Sequence, residues 1–271
     1  MTTPREAVPA GARPAGTFTP APGGAGLGPM VRAQARMEAR LLLRNGEQLL
    51  LAIVIPVIVL LGGVAAAGRL GSTFEGHAPV DLLTPGVLAL AVMSTSFTSV
   101  AIATGFERRY GVLKRLGASP LPRQGLLLGK VGSLLAVEVL QGVVIGGVAL
   151  ALGWSPALTT RGVAGAVAMA VLGTAAFAAL GLFVAGVLRA EATLAAANLV
   201  YLLLAAGGAV VLPASSYGRF SSVVVLLPSG ALGSGFRESL LVGTFPLRQS
   251  LVLLVWAAAG TVLTVRTFRW E

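Results

Sequence analysis

The sequence predicts an all-α membrane protein with six transmembrane helices, an N-terminal interfacial helix, and a re-entrant or outer helical pair between spans five and six. Of its 271 residues, 55% are hydrophobic and only 11% are charged, against roughly 25% charged in ordinary soluble domains. Mean hydropathy is +0.86. Long uncharged runs recur, with lengths suited to helices that cross about 30 Å of hydrocarbon. Isolated open strands do not cross lipid, so the runs are predicted to be helices.

The first 29 residues, 1–29, are rich in Pro and Gly and contain no apolar run that could form the core of a signal peptide. They are predicted to be a disordered tail. The membrane domain follows at 30–271. It starts with apolar residues at helical spacing beside a row of arginines, which predicts an interfacial helix on an anionic leaflet; a merely cationic flank to the first span is the alternative. The apolar residues are Met30, Ala33, Met37 and Leu41, and the arginines are Arg32, Arg36, Arg40 and Arg44.

Six runs with few or no charges are the predicted spans. The first contains Pro56, which predicts a kink, and the third contains the ionisable residues Lys130 and Glu138. The fifth ends before Pro213. The approximate bounds are 49–68, 82–106, 126–152, 162–188, 192–212 and 245–265.

Residues 220–236, between the fifth and sixth spans, are also uncharged, but Pro228 and several glycines divide them into two half-length pieces. A seventh span here would place the last arginines, Arg266 and Arg269, outside the cell. A re-entrant or outer-interface helical pair keeps them inside, and broken helices are tolerated at membrane depth where protein or a cavity covers them.

The distribution of cations predicts that both termini are cytoplasmic, in a multi-pass protein of the plasma membrane. Of the 20 Lys and Arg residues, fifteen fall on the side of the termini and five on the other side, and the side richer in cations is the inner one. The net charge of +10 is therefore a topology signal, and no nucleic-acid partner is expected. The five outer cations are Arg69, Arg161, Arg219, Arg237 and Arg248.

The sequence lacks the motifs of several catalytic classes. It has no cysteine and a single histidine, His77, which argues against thiolate, multi-histidine metal and haem sites. It has no phosphate-binding loop and no Gly-x-Ser-x-Gly turn. The ten acidic residues are scattered. No catalytic residue, metal site or enzyme activity is expected.

The connection after the second span, residues 107–125, has a composition of its own. On a helical wheel from Phe106 to Leu116 most apolar residues share one side and most cations the other, which predicts a short amphipathic helix capped near Gly117. A basic loop that only fixes topology would explain the cations. It would not require the apolar face, which is typical of a partner-binding helix.

Two parts of the sequence form a recognisable pattern. The first is the order Glu107-Arg108-Arg109-x-Gly111-x-Leu113-x-x-Leu116-x-Ala118-Ser119-Pro120. The second comprises Ala197-Asn198-Leu199-Val200-Tyr201, Pro213, Leu226-Leu227-Pro228-Ser229 and Gly235-Phe236-Arg237. Together they resemble the type-2 ATP-binding-cassette (ABC) transporter permeases, and most of all their drug-exporter branch.

The resemblance implies a permease subunit of an ATP-driven exporter that works as a dimer with a second copy or a paralogue in the lipid bilayer. The 107–125 connection would be a coupling helix that docks on a separate cytoplasmic ATPase, which binds the ATP, so the chain needs no cofactor. The cargo would be hydrophobic or amphiphilic, with drug or small-molecule efflux favoured over lipid or polysaccharide export. The implied coupling residues are Glu107, Arg108, Gly111, Leu113, Leu116 and Pro120.

Glu138 is the most conspicuous residue inside the predicted spans. It lies eight residues beyond Lys130, roughly 12 Å deeper along a helix, where a lysine can reach the interface but a glutamate cannot. It is either a polar point on the translocation path or a protonatable switch, or else a structural contact with Gln141 or Asn198. The second span adds hydroxyl residues, among them Ser94 and Thr98, that could line a cavity, although interhelical hydrogen bonding is the better explanation. Asn198 in the fifth span is a further candidate for the translocation path.

A transporter of another class remains open at this point. Glu138 could serve as the proton site of an ATP-independent secondary transporter. Such proteins commonly contain two-fold internal repeats, and none is evident in this sequence.

Overall fold

A computed structural model describes residues 25–44, 46–69, 76–117 and 122–267, and the regular secondary structure in these ranges is helical. The predicted all-α fold is confirmed. Six helices in the described ranges are long and apolar enough to cross a membrane. Most of the predicted disordered tail lies outside the described residues, as does Pro120.

The helices follow one another with short connections. The second span is built from α3, a π-helical turn at Ser94–Ser99, and α4. The bounds are α1 Leu27–Arg44, α2 Gly46–Arg69, α3 Pro79–Met93, α4 Val100–Arg109, α5 Val112–Gly117, α6 Arg123–Ala151, α7 Thr160–Val187, α8 Ala190–Gly207, α9 Ser221–Val224, α10 Pro228–Arg237 and α11 Leu247–Thr267.

Helix α1 is separate from the first span and packs along α6. It begins at Leu27, inside the segment predicted as a disordered tail, so that prediction was wrong for its last residues. Gln34 is buried where α6 carries Gly129, and a Cβ there would lie 2.6 Å from the Gln34 side chain. Met37 and Leu41 remain exposed. Exposed apolar residues on a cationic helix fit the predicted interfacial role.

The second span forms the centre of the bundle, because α3 is apolar on all sides and packs against α2, α6, α7 and α10. Phe97 in the π-helical turn meets Phe177 of α7 edge to face, with ring centroids 6.3 Å apart. Close helix approach depends on small residues: a Cβ at Gly181 would lie 2.8 Å from the Phe97 carbonyl oxygen.

The fifth span is shorter than predicted, because α8 ends at Gly207 and not at residue 212. The backbone at Gly208 lies against Ser229, and Ala209 adopts a left-handed conformation with φ of 53°. A regular helix cannot continue through that conformation, so the helix stops before Pro213 is reached.

The uncharged segment after the fifth span forms the short helices α9 and α10, in agreement with its division by Pro228. Helix α10 packs backbone to backbone against its neighbours: a Cβ at Gly230 would lie 1.9 Å from the Val224 carbonyl oxygen. Arg237, at the end of α10, is buried and donates hydrogen bonds of 2.8 and 2.9 Å to the carbonyl oxygens of Val210 and Val211.

Candidate functional site

The C-terminal end of the second span, in α4, is the first part of the candidate site. Helix α4 continues to Arg109, the backbone breaks at Tyr110 and Gly111, and α5 follows. Gly111 has φ of +68°, a left-handed conformation that other residues adopt only with strain. The prediction of one continuous amphipathic helix from Phe106 to Leu116 was therefore wrong, because the glycine divides it.

Arg108 is bound within the chain. Its guanidinium donates hydrogen bonds to the carbonyl oxygens of Gly186, at 2.7 Å, and Leu188. These carbonyls belong to the C-terminal end of α7, where helical hydrogen bonding runs out and a cation is favourable. Arg108 thereby joins α4 to α7.

Two ion pairs join the same end of α4 to other helices. The ammonium of Lys130 in α6 donates to both carboxylate oxygens of Glu107 at 3.0 Å, and these side chains are 17% and 29% exposed. Arg109 pairs with Glu191 of α8, but both side chains are more than half exposed, so this pair contributes little by itself. We call the three contacts of Glu107, Arg108 and Arg109 the α4 corner.

A cavity of about 210 Å³ adjoins the α4 corner between α1, α4 and α6, and Glu107, Lys130 and Glu38 line it. The Glu38 carboxylate accepts hydrogen bonds from Gln34, at 2.8 Å, and from Ser133, at 3.4 Å. Because Gln34 and Glu38 both lie in α1, the contact of these two that joins α1 to α6 is the longer one from Ser133, whose hydroxyl also lies 2.7 Å from the Lys130 carbonyl oxygen.

The other predicted coupling residues lie farther along the connection. Leu113 and Leu116 fall within α5, and Pro120 is outside the described residues. Helix α5 exposes the cations Lys114 and Arg115.

A second cavity, of about 300 Å³, lies between α3, α6, α7 and α10. We call it the Glu138 crevice. Its walls are apolar except where α6 contributes Glu138 and Gln141. The remaining lining residues include Leu88, Ala91, Val92, Leu135, Val139, Gly142, Trp154, Ala166, Val167, Ala170, Phe236 and Leu240.

Glu138 is only 7% exposed, and its hydrogen bonds are incomplete. Oε2 lies 2.7 Å from the Thr174 hydroxyl, which lies at the same distance from the carbonyl oxygen of Ala170. A hydroxyl has one proton, so it can donate to only one of these acceptors at a time. Oε1 is buried without a partner among the described residues.

Gln141 joins three spans near Glu138. Its amide oxygen accepts a 3.1 Å hydrogen bond from Thr95, and its amide nitrogen donates to the Ala52 carbonyl oxygen at 2.8 Å. Glu138 therefore meets Thr174 and not the predicted Gln141 or Asn198. Thr174 was missed, although it is the only hydroxyl residue between 162 and 188 and could have been noticed for that reason.

The other predicted path residues do not join the Glu138 crevice. Ser94 and Thr98 lie in the π-helical turn, and the Thr98 hydroxyl is buried without a partner among the described residues. Asn198 is exposed on α8. No group of three or more His, Asp or Glu residues able to hold a metal occurs in the described ranges.

Six membrane-length helices in the described ranges, one of them a largely buried central span, define a multi-pass helical membrane protein. The family model described as ABC-2 type transporter matches residues 31–241. The chain belongs to this family of membrane transport subunits, which bears out the resemblance found in the sequence. No curated protein matches the sequence at a significant level.

Proposed function

We propose that the chain is the membrane-spanning permease subunit of an ATP-driven exporter, coupled to a separate cytoplasmic ATPase through residues 107–125. The observation that carries this proposal is the α4 corner, which connects the segment ahead of α5 to three other helices. Because the sequence has no phosphate-binding loop, ATP hydrolysis belongs to the partner.

The α4 corner supplies a route for force. A push on α5 reaches α6 through Glu107, α7 through Arg108 and α8 through Arg109. The first two contacts are partly buried, so solvent and salt weaken them less than the exposed third. The cytoplasmic ends of four spans then move together. In this mechanism Glu107 and Arg108 are positioning residues, and α5 provides the surface for the ATPase.

The cargo is hydrophobic or amphiphilic, and small-molecule efflux is favoured over lipid or polysaccharide export. The spans offer few charges to solvate an ion. Asn198 exposes an amide within the apolar part of α8, where lipid is an unfavourable neighbour. A second permease copy or paralogue, or the path between the two copies, gives that amide a suitable environment, and Ser94 and Thr98 remain candidates for the same path.

The assembly we propose contains two permeases and two ATPase subunits in the plasma membrane, with both permease termini in the cytoplasm. The permease itself holds no cofactor. Movement of the ATPases during the ATP cycle tilts the spans through the α4 corner and shifts access to the path from inside to outside.

The test is co-purification followed by transport. The tagged chain is expected to retain an ATPase with a phosphate-binding loop from its native membranes, and inside-out vesicles are expected to take up a fluorescent amphiphile only with ATP. An ATPase subunit inactivated in its phosphate-binding loop serves as the control. Failure to retain any ATPase, with transport that survives ATP depletion and stops with a proton uncoupler, would favour a secondary transporter using Glu138.

A further inference from the structure

The Glu138 crevice combines two features that no structural role explains together. It is a cavity of about 300 Å³ with largely apolar walls, at the lower end of the volumes that hold small ligands. It also contains a carboxyl group that is 93% buried and has one oxygen without a partner among the described residues.

The Glu138 carboxyl group has no cationic partner among the described residues. The salt bridges formed within the described ranges are those of Glu191 with Arg109 and of Glu107 with Lys130, and neither involves Glu138. Ionisable groups at membrane depth are costly and are stabilised by a charged partner. A ligand that brings a cation to this position would supply what the protein does not.

The crevice opens toward the outside of the bundle between α6 and α7. Two of its lining residues there, Val139 and Val167, are 67% and 59% exposed. Their neighbours Val143 and Val171 are also exposed, so the entrance lies in an apolar surface suited to acyl chains. A ligand dissolved in the bilayer can enter without passing through water.

The length of the crevice sets the size of the ligand. Trp154 lines it near Gly146, where a Cβ would lie 3.8 Å from the indole ring. Glu138 and Gly146 are eight residues apart on α6, which is roughly 12 Å along the helix axis. A ligand with a polar end at Glu138 thus places its apolar end beside Trp154.

We propose that the Glu138 crevice binds lipophilic amines from the bilayer, with the ammonium group at the Glu138 carboxylate and the apolar body along α6 and α7 toward Trp154. This names a cargo class for the proposed exporter and rests on that function only in calling the ligand a cargo. Binding itself does not require the ATPase.

The experiment measures quenching of Trp154 fluorescence in the full chain reconstituted in nanodiscs. A Trp256→Phe, Trp270→Phe background leaves Trp154 as the only tryptophan, since the sequence has three. The probes are a brominated alkyl amine long enough to span roughly 12 Å and the brominated alcohol of equal length. The amine is expected to bind about tenfold or more tightly than the alcohol, as a charge-assisted hydrogen bond in a buried site provides.

Two variants locate the effect. Glu138→Gln keeps the size of the side chain and an acceptor for Thr174, and it is expected to remove the preference for the amine. Gly142→Leu places a side chain where a Cβ meets no atom within 4 Å, beside the crevice, and is expected to block both probes. Gly147→Leu is the matched control, because Gly147 has equal space but is not part of the lining.

Three results would overturn the proposal: equal quenching by the amine and the alcohol, an amine preference that survives Glu138→Gln, or quenching in Gly142→Leu that is as strong as in Gly147→Leu. The last would indicate that the probes reach Trp154 from the bilayer and not through the crevice. Selective binding without ATP-coupled transport would leave this site standing and overturn the proposed exporter. ATP-coupled transport without selective binding would support the proposed exporter and overturn the proposed amine site.

Discussion

In the proposed mechanism Glu107 would take part in coupling through Lys130, without contacting a partner protein. Both carboxylate oxygens accept from the ammonium group, and both side chains are less than one-third exposed. The contact therefore fixes the end of α4 against α6. It is part of the permease's own structure, ahead of any surface presented to an ATPase.

We expect charge reversal at either position to impair transport and reversal at both to restore it. Glu107→Lys and Lys130→Glu each place like charges together, whereas the double variant re-forms the pair with the opposite polarity. The interaction free energy in a double-mutant cycle should be about 1 kcal/mol. ATP-driven uptake in vesicles measures the effect, with thermal unfolding in detergent recorded for each variant.

Arg109→Glu with Glu191→Arg is the matched comparison, because that pair is exposed and its coupling should be smaller. If the Glu107 and Lys130 single variants transport as well as the unaltered chain, the α4 corner does not carry force by this contact.

Glu138 could be predicted as a candidate site residue from the sequence, whereas its hydrogen bond with Thr174 could not. A carboxylate inside an apolar run is unfavourable enough to be noticed by itself. Its actual neighbour, Thr174, lies on another span, and the pairing depends on how α6 and α7 are rotated against each other. Helical periodicity in apolar runs specifies that rotation poorly, because almost every position is apolar.

At the scale of the elements, helix existence was predicted well and helix ends less well. The six spans follow from length and hydropathy. The end of α8 depends instead on the close approach of Gly208 to Ser229 and on the conformation of Ala209. These are tertiary contacts, which a hydropathy pattern does not contain.

Helix α10 is held by backbone contacts that exclude side chains. A Cβ at Gly230 would come within 1.9 Å of a carbonyl oxygen, and one at Gly233 within 2.4 Å of another. These carbonyl groups belong to the backbone, so they cannot move aside to make room for a Cβ, whereas the end of a flexible side chain could. Helix α10 therefore tolerates few substitutions at Gly230 and Gly233.

Gly230→Ala is expected to lower the free energy of unfolding by about 1–3 kcal/mol, as overpacking of a close contact does. Denaturant or thermal unfolding in detergent measures the loss. Gly147→Ala is the control, because a Cβ there meets no atom within 4 Å, and alanine favours the helix over glycine by about 1 kcal/mol. Equal stability of the two variants would contradict the close packing of α10.

For the whole molecule, the fold class could be predicted because a bilayer restricts the backbone to a few solutions. The sidedness is predicted from charge alone. The assembly cannot be predicted from the sequence in this way, because surfaces that face lipid and surfaces that face a second permease are both apolar. Asn198, exposed on α8, is one residue that departs from this uniformity.

The natural absence of cysteine makes the predicted sidedness easy to test. Leu158→Cys introduces a thiol in the connection between α6 and α7, where Leu158 is 72% exposed, and Arg115→Cys introduces one in α5. A membrane-impermeant maleimide should label the first in intact cells and the second only after permeabilisation. Labelling in the opposite order would reverse the predicted orientation and remove α5 from the side of the ATPase.

The π-helical turn at Ser94–Ser99 sets the phase of the inner half of the second span. Each residue of an α-helix advances the direction of the side chain by about 100°, and a π turn accommodates one extra residue. Were the span α-helical throughout with the same outer half, Glu107 and Arg108 would point about 100° away from Lys130 and the end of α7. Deleting one residue of the turn should therefore give a regular α-helix that keeps the contacts of the α4 corner, whereas a regular α-helix that retained all six residues of the turn would lose them.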